Sequence, residues 1–291
     1  MKISTKTLSA VVALAWVVAV PASAQGIDDR ILHNDPANYR LAEAPHAGAG
    51  PLDYTAIIDR GEMATDFLYL HAGRLLPKGG IGHHFHHSKE EMYVILNGEA
   101  EFTVDGRTSL IQAPVVVPNK LGSSHAVVNT TDESLRWLNF AVAKENAKGG
   151  SFDLGDDRVG VPLDPVPVFV YSRLDQESHQ REVFTQSDER VHYTRILGPD
   201  IFTTNWNHVD QIILPAGSSS DSRQLVGMEE VYYVMEGSGT VSIDGATASI
   251  EMDDAFSITM GETVSISNNG SEDLKVLVIG IAEDKDSLPA E

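Results

Sequence analysis

Apolar residues along this chain fall in short blocks or alternate with polar ones, and the blocks are bounded by Gly, Asn, Asp and Pro. Amphipathic helical periodicity is weak throughout. This pattern predicts an all-β sandwich or barrel rather than a helical or mixed fold. A first series of strands is expected over Phe67–Leu70, Met92–Leu96, Glu99–Val104, Val115–Val117 and Leu135–Val142. A second is expected over Val209–Leu214, Val231–Met235, Gly239–Ile243, Phe256–Ile258, Val264–Ile266 and Leu274–Ile281. Asp105-Gly106 and Asp244-Gly245 are hairpin signals, because glycine readily takes the positive φ that tight hairpin turns require.

The two series repeat one another without a gap at an offset of 139 residues. Glu90 and Glu91 map to Glu229 and Glu230, Tyr93 to Tyr232 and Gly98 to Gly237. Asp105-Gly106 maps to Asp244-Gly245, Gly122 to Gly261 and Asn129 to Asn268. Coincidence at turn glycines, a hairpin and a strand start together implies two copies of one unit. The expected organisation is an N-terminal arm over residues 25–56, a first barrel over 57–145, a linker over 146–195 and a second barrel over 196–284. The segment from Lys144 to Asp188 is rich in Gly, Asp and Pro and reads as an extended connection with room for a short helix.

The first 24 residues have the form of a cleaved signal peptide. Lys2 and Lys6 form a basic start, Leu8 to Val20 is apolar apart from Ser9, and Ala22-Ser23-Ala24 is a small-residue cleavage site. An apolar run of about 13 residues is too short for a bilayer that needs roughly 20. A periplasmic or secreted location follows as an expectation. Losing the two lysines leaves 19 Lys+Arg against 42 Asp+Glu, a net charge of about −23. Such a balance disfavours nucleic acid and anionic membranes as partners and leaves a small-molecule substrate. The absence of cysteine excludes disulfides, thiolate zinc sites, iron–sulfur clusters and a cysteine nucleophile. Any metal must therefore be held by His and carboxylate.

Those ligand types are concentrated in His83-His84-Phe85-His86-His87, followed by Glu90 and Glu91. Residues two apart on a strand share a face, so His84 and His86 project together. His83 and His87 have the opposite parity and read as surrounding or surface residues. Glu91 opens an apolar strand that would bury its carboxylate, and a buried carboxylate needs a cationic partner. His125, some 34 residues on, supplies a third imidazole.

These residues resemble the cupin superfamily. Its first motif is matched by His84-Phe85-His86, four residues, Glu91, six residues and Gly98; the six-residue distance favours Glu91 over Glu90. Its second is matched by Pro118, Gly122, His125 and Asn129. Departures are confined to loop geometry: the glycine before the His pair is displaced to Gly79, Gly80 or Gly82, and Gln112 stands where glycine is common. The resemblance implies two tandem cupin barrels, each a double-stranded β-helix or jelly roll, with one divalent metal held by His84, His86, Glu91 and His125 in the first. That ligand set leaves two open positions and suits Fe(II) or Mn(II), with Ni, Co, Cu and Zn also compatible.

In the second copy the ligand positions fall at Arg223, Leu225, Glu230 and Val264. Glu230 alone cannot hold a metal, so this barrel is expected to be metal-free and supporting. Loss of the second site counts against oxalate decarboxylation, since oxalate-decarboxylating bicupins generally keep ligands in both barrels. The resemblance otherwise implies a metal-dependent enzyme acting on a small oxygen-rich molecule, a dioxygenase being slightly favoured. A non-oxidative lyase or isomerase is the alternative, and a non-catalytic sugar- or carboxylate-binding cupin the third reading. Tyr69, His71 and Tyr93 are candidates for a proton-handling residue. Two fused barrels already provide the pairing of single-domain cupins, so a monomer or homodimer is expected.

Overall fold

The structure, a computed structural model, describes residues 26–144, 147, 150–175 and 181–287; the proposed signal peptide lies outside them. The described residues are all-β, with short 3-10 turns and no α-helix, and no helix among them is long and apolar enough to cross a membrane. They form two jelly-roll barrels joined face to face.

The 139-residue repeat is reproduced strand for strand. Arg107–Gln112 corresponds to Ala246–Glu251, Val115–Asn119 to Asp254–Ile258, Ser124–Val128 to Thr263–Ser267 and Leu135–Ala143 to Leu274–Ala282. The hairpin turns match as well: Asp105 and Asp244 have φ of 50° and 49°, and the glycines after them 78° and 84°. Asn129 donates its amide to the carbonyls of Leu75 and Glu133, and Asn268 to those of Leu214 and Glu272, the same pair of residues in the other copy.

In the first barrel, the long strand Phe67–Phe85 serves both sheets. Its first half pairs with Leu135–Ala143, and its second half, from Gly80, pairs with Ser124–Val128. In the second barrel the equivalent path is split between Trp206–Leu214 and Arg223–Gln224. The sheets that face each other across the molecule are buried on both sides, which explains their nearly continuous apolar sequences. Along Lys89–Ile95, Tyr93 and Ile95 enter the core of the first barrel, whereas Met92 and Val94 enter a second core shared between barrels. Val231, Tyr233, Leu277, Ile279 and Trp206 come into that shared core from the other side.

The segments outside the repeats are more structured than their sequence suggests. The strand Gly50–Asp59 pairs with Phe67–Phe85 and crosses the expected arm–barrel boundary at residue 57. Upstream, Leu32–His33 pairs with Asp254–Ile258 of the second barrel, so the arm straps both barrels together. Within the expected linker, Phe152–Asp153 and Ser172–Arg173 add to the first barrel and Arg181–Glu182 to the second. His192–Leu197 then pairs with Trp206–Leu214 across the expected boundary at 196. No helix occurs in the described part of the linker, because its Pro- and Gly-rich backbone finds its hydrogen bonds along barrel edges instead.

Candidate metal centre

His84, His86, Glu91 and His125 converge from three strands in the first barrel. His84 lies near the end of Phe67–Phe85 and faces His125 across a ladder pair. His86 follows one residue past that strand, and Glu91 sits two residues into Lys89–Ile95. All four are buried, and one ligand atom from each lies within 4.8 Å of the others.

Hydrogen bonding assigns the roles of two of the three imidazoles, those of His84 and His86. His84 Nδ1 lies 2.7 Å from the carbonyl of Gly82, and His86 Nδ1 lies 2.7 Å from that of Gly150. A carbonyl only accepts, so each Nδ1 carries the proton and each Nε2 presents a lone pair. His86 Nε2 and His125 Nε2 both stand 3.1 Å from Glu91 Oε2. Those three atoms are buried without a hydrogen-bond partner. Buried polar atoms are normally satisfied, and a divalent cation is what three imidazole lone pairs and a carboxylate oxygen satisfy together. The residues present fit such an ion.

Protonation follows the same logic. Burial pushes His84 down to about 2, helped by the neighbouring His125 and His46. Burial also holds His125 at about 4 against the pull of Glu91. Burial opposes the Glu91 carboxylate, but Lys89, with His125 and His86, keeps it well below the usual carboxylate range. At neutral pH His84 and His125 are neutral and Glu91 is charged, the forms a metal requires.

The second oxygen of Glu91 is held separately. Lys89 Nζ donates to Glu91 Oε1 at 2.5 Å and to the Tyr69 hydroxyl at 2.6 Å, and that hydroxyl in turn donates to Glu91 Oε1. His71 stacks on Tyr69 with ring centroids 4.0 Å apart, and burial lowers it to about 4. Tyr93 packs edge-on against His125 at 5.3 Å. Tyr69, His71 and Tyr93 thus all line one cavity of about 160 Å³, together with Lys89, Glu91 and His84. Trp137 and Asn139 also line it, and the Trp137 Nε1 and Asn139 Oδ1 atoms are buried without a partner. Of the other histidines, His83 turns away to Ser124 and His87 is exposed.

Sequence reasoning missed Lys89, His46, Trp137 and Asn139. Lys89 carried a usable signal, since it lies two residues before Glu91 and shares its strand face. His46 carried none. It comes from the arm, stacks flat on His84 at 3.9 Å and bonds Asp153 at 2.5 Å. The arm approaches so closely that a Cβ on Gly82 would fall 2.1 Å from the His46 carbonyl. The glycines before the His pair make room for this crossing.

The second barrel contains an organic replacement for a metal. Arg223, at the position of His84, bonds Glu230, at the position of Glu91. Tyr232 donates to the same oxygen at 2.6 Å, and His208 Nε2 lies 3.2 Å from the other. Leu225 and Val264 are buried in the apolar core around this pair.

A cupin-domain family model matches residues 73–141 and 211–280, one match in each barrel. The oxalate-binding protein of Thermotoga maritima is 35% identical over 91 residues, covering 31% of this chain and 75% of that protein. Among solved structures, the salicylate 1,2-dioxygenase of Pseudaminobacter salicylatoxidans superimposes with a TM-score of 0.62 at 15% identity, over 78% of this chain and 76% of that one. A putative glyoxylate-induced protein of Pseudomonas aeruginosa gives 0.62 at 18% identity, over 82% and 84%. An oxalate decarboxylase variant of B. subtilis gives 0.62 at 15%, over 87% and 77%. With the repeated fold, the two matched segments and the relative's identity in agreement, the chain belongs to the cupin family.

Proposed function

We propose that this protein is an exported, metal-dependent cupin enzyme that acts on a small, oxygen-rich, anionic molecule, with dioxygenation the favoured reaction. The observation that carries this reading is the convergence of the partnerless Nε2 atoms of His86 and His125 on Oε2 of Glu91, behind a cavity that Glu91 and His84 line together with the ammonium of Lys89. An Fe(II) or Mn(II) ion held there would supply Lewis acidity and the means to engage O2. The chain's own residues do the rest. Lys89 has three donor protons, two of them engaged by Glu91 and Tyr69, and the third is free for a substrate carboxylate or enolate. The Trp137 indole and the Asn139 amide offer one donor and one acceptor, and the rings of Tyr54, Tyr69 and His71 provide flat apolar wall.

Support for dioxygenation comes from a full ligand set in one barrel only and from the similar fold of a salicylate 1,2-dioxygenase that has been crystallised with gentisate. The test is turnover of gentisate and related hydroxy acids by the Fe(II)- or Mn(II)-loaded protein, with and without oxygen. Consumption of substrate that proceeds equally under anaerobic conditions removes the dioxygenase version and leaves a lyase or isomerase. The 35% identity to an oxalate-binding protein favours one further reading, a cupin that chelates a carboxylate without turnover. Tight binding of oxalate with no product under either condition would select it. Export rests on residues 1–24, and an N-terminus beginning at Gln25 in protein recovered from the periplasm or medium tests it.

A further inference from the structure

Glu90 and Glu91 are neighbours on one strand, and alternation sends them in opposite directions. Glu91 faces the imidazoles inside the first barrel, whereas Glu90, fully buried, faces the second barrel. There its carboxylate is enclosed by donors. Thr203 gives its backbone N–H at 3.0 Å and its hydroxyl at 2.9 Å to Oε1; Thr204 gives its N–H at 2.9 Å and its hydroxyl at 2.7 Å to Oε2. The backbone N–H of Leu121 in the first barrel completes the set at 3.0 Å. Burial opposes the charge on Glu90, but these donors from Leu121, Thr204 and Thr203 hold its carboxyl below the usual range.

The contacts continue towards the other ligands. Leu121 belongs to the turn that leads into Ser124–Val128, the strand bearing His125. The next residue, Gly122, donates its N–H to the carbonyl of His86 at 2.9 Å. Glu90 therefore joins the second barrel to the backbone of Glu91 directly, and to those of His86 and His125 through one turn. The repeat offers a natural comparison. Glu229, the counterpart of Glu90, reaches back to the first barrel and accepts from the N–H of Thr65 at 2.9 Å, while Asp66 and its counterpart Asn205 meet at 3.3 Å on the interface. The interface is thus built twice but unequally: five donors hold Glu90 behind the candidate metal centre, whereas behind the Arg223–Glu230 pair Glu229 accepts from the Thr65 N–H while the Thr65 hydroxyl has no partner.

We propose that Glu90 is a positioning residue through which the second barrel holds Glu91, His86 and His125 in metal-binding register. This assigns the metal-free barrel a function in the first barrel's chemistry, and it rests on the reading of the four residues as a metal centre. Charge-assisted hydrogen bonds from five fixed donors restrain the strand more tightly than packing alone. Loosening them lets the ligand atoms drift apart without removing any of them.

The test uses the full mature chain and Mn(II) as probe, with affinity measured by competition against a chelator and the Mn(II) paramagnetic resonance signal recorded in parallel. Glu90→Gln is expected to weaken Mn(II) binding by roughly 10- to 100-fold and to broaden the bound-ion spectrum. Glu229→Gln perturbs the same interface behind the other barrel and should leave affinity within about twofold, even where thermal stability falls in both. The double variant Thr203→Val with Thr204→Val keeps the first barrel's sequence intact and should weaken Mn(II) binding in the same direction; it decides the matter if Glu90→Gln does not fold. Equal affinity in wild type and in the Thr203/Thr204 variant, or equal loss in Glu90→Gln and Glu229→Gln, overturns the positioning role. Wild-type protein that takes up neither Mn(II), Fe(II) nor Zn(II) overturns the metal-centre reading itself.

Discussion

Arg223, partly buried, and Glu230, fully buried, form an ion pair at the place where the first barrel has His84 and Glu91. Burial opposes both charges, and each is held charged by the other, with Tyr193, Tyr232 and His208 completing the surroundings. A guanidinium brings one fixed positive charge on a planar fork, which neutralises a carboxylate without an ion from solution. Breaking a buried pair from one side leaves an uncompensated charge and costs about 3–5 kcal/mol. Arg223→Met should therefore destabilise the second barrel by about that amount. Arg223→Met combined with Glu230→Gln should recover much of the loss. Urea denaturation of the two singles and the double measures it; additive losses would show that the pair is not coupled.

The arm's crossing over the ligand-bearing strand is the next relationship open to test. Gly82 lies under the His46 carbonyl and the Gly48 backbone, so Gly82→Ala forces the arm away from His84. Overpacking of this kind costs about 1–3 kcal/mol. The expected outcome is faster proteolysis within residues 44–49 and greater solvent access to the cavity, with the barrel still folded. Unchanged cleavage in this segment would mean that the arm does not depend on the close approach.

The four candidate ligands were legible because strand parity, ligand chemistry and the repeat all constrain the same positions. The doubly buried strands were legible too, since Met92–Ile95 and Leu274–Ile281 face apolar surroundings on both sides. Phe67–Phe85 was not readable as one strand. Its Pro77, Lys78, Gly79, Gly80 and Gly82 look like a break, yet Gly79 and Gly82 are required by the arm backbone at Pro51 and His46, and Gly80 by the neighbouring strand at Val127. His46, Trp137 and Asn139 reach the cavity through tertiary crossing and carry no local spacing. Lys89 looks like a solvated strand start until Tyr69 and Glu91 are seen around its ammonium.

The pH dependence of the metal-free protein follows from His84, His71 and His125. Burial keeps His84 neutral to about 2 and the other two to about 4, whereas in the unfolded chain each takes up a proton near 6.5. Below 6.5 the unfolded state binds more protons, so stability falls as pH falls, by on the order of 1 kcal/mol per pH unit for each histidine. Glu91 acts in the same direction only at lower pH, because its folded value lies well below the carboxylate range. Urea midpoints of chelator-treated protein should drop between pH 6.5 and 4. A flat profile across that window would show that these imidazoles are protonated in the folded state.

Lys89 separates a cavity that selects anions from one that accepts any chelator. In the second barrel its position is taken by Met228, a residue of similar reach without charge, so Lys89→Met changes the charge and little of the shape. A hydrogen bond to a charged group is worth about 1.5–3 kcal/mol, which corresponds to roughly 10- to 100-fold in affinity. Calorimetry on metal-loaded protein should show that loss for oxalate in Lys89→Met, with metal content unchanged. Lys89→Arg, which keeps the charge and the donors, should retain most of the binding. For a neutral ligand such as imidazole the wild type and Lys89→Met should bind alike. If oxalate affinity survives the substitution, the ammonium serves only Glu91 and Tyr69. If metal content falls with it, Lys89 acts through Glu91 as a support for the centre rather than as the site's contact with substrate.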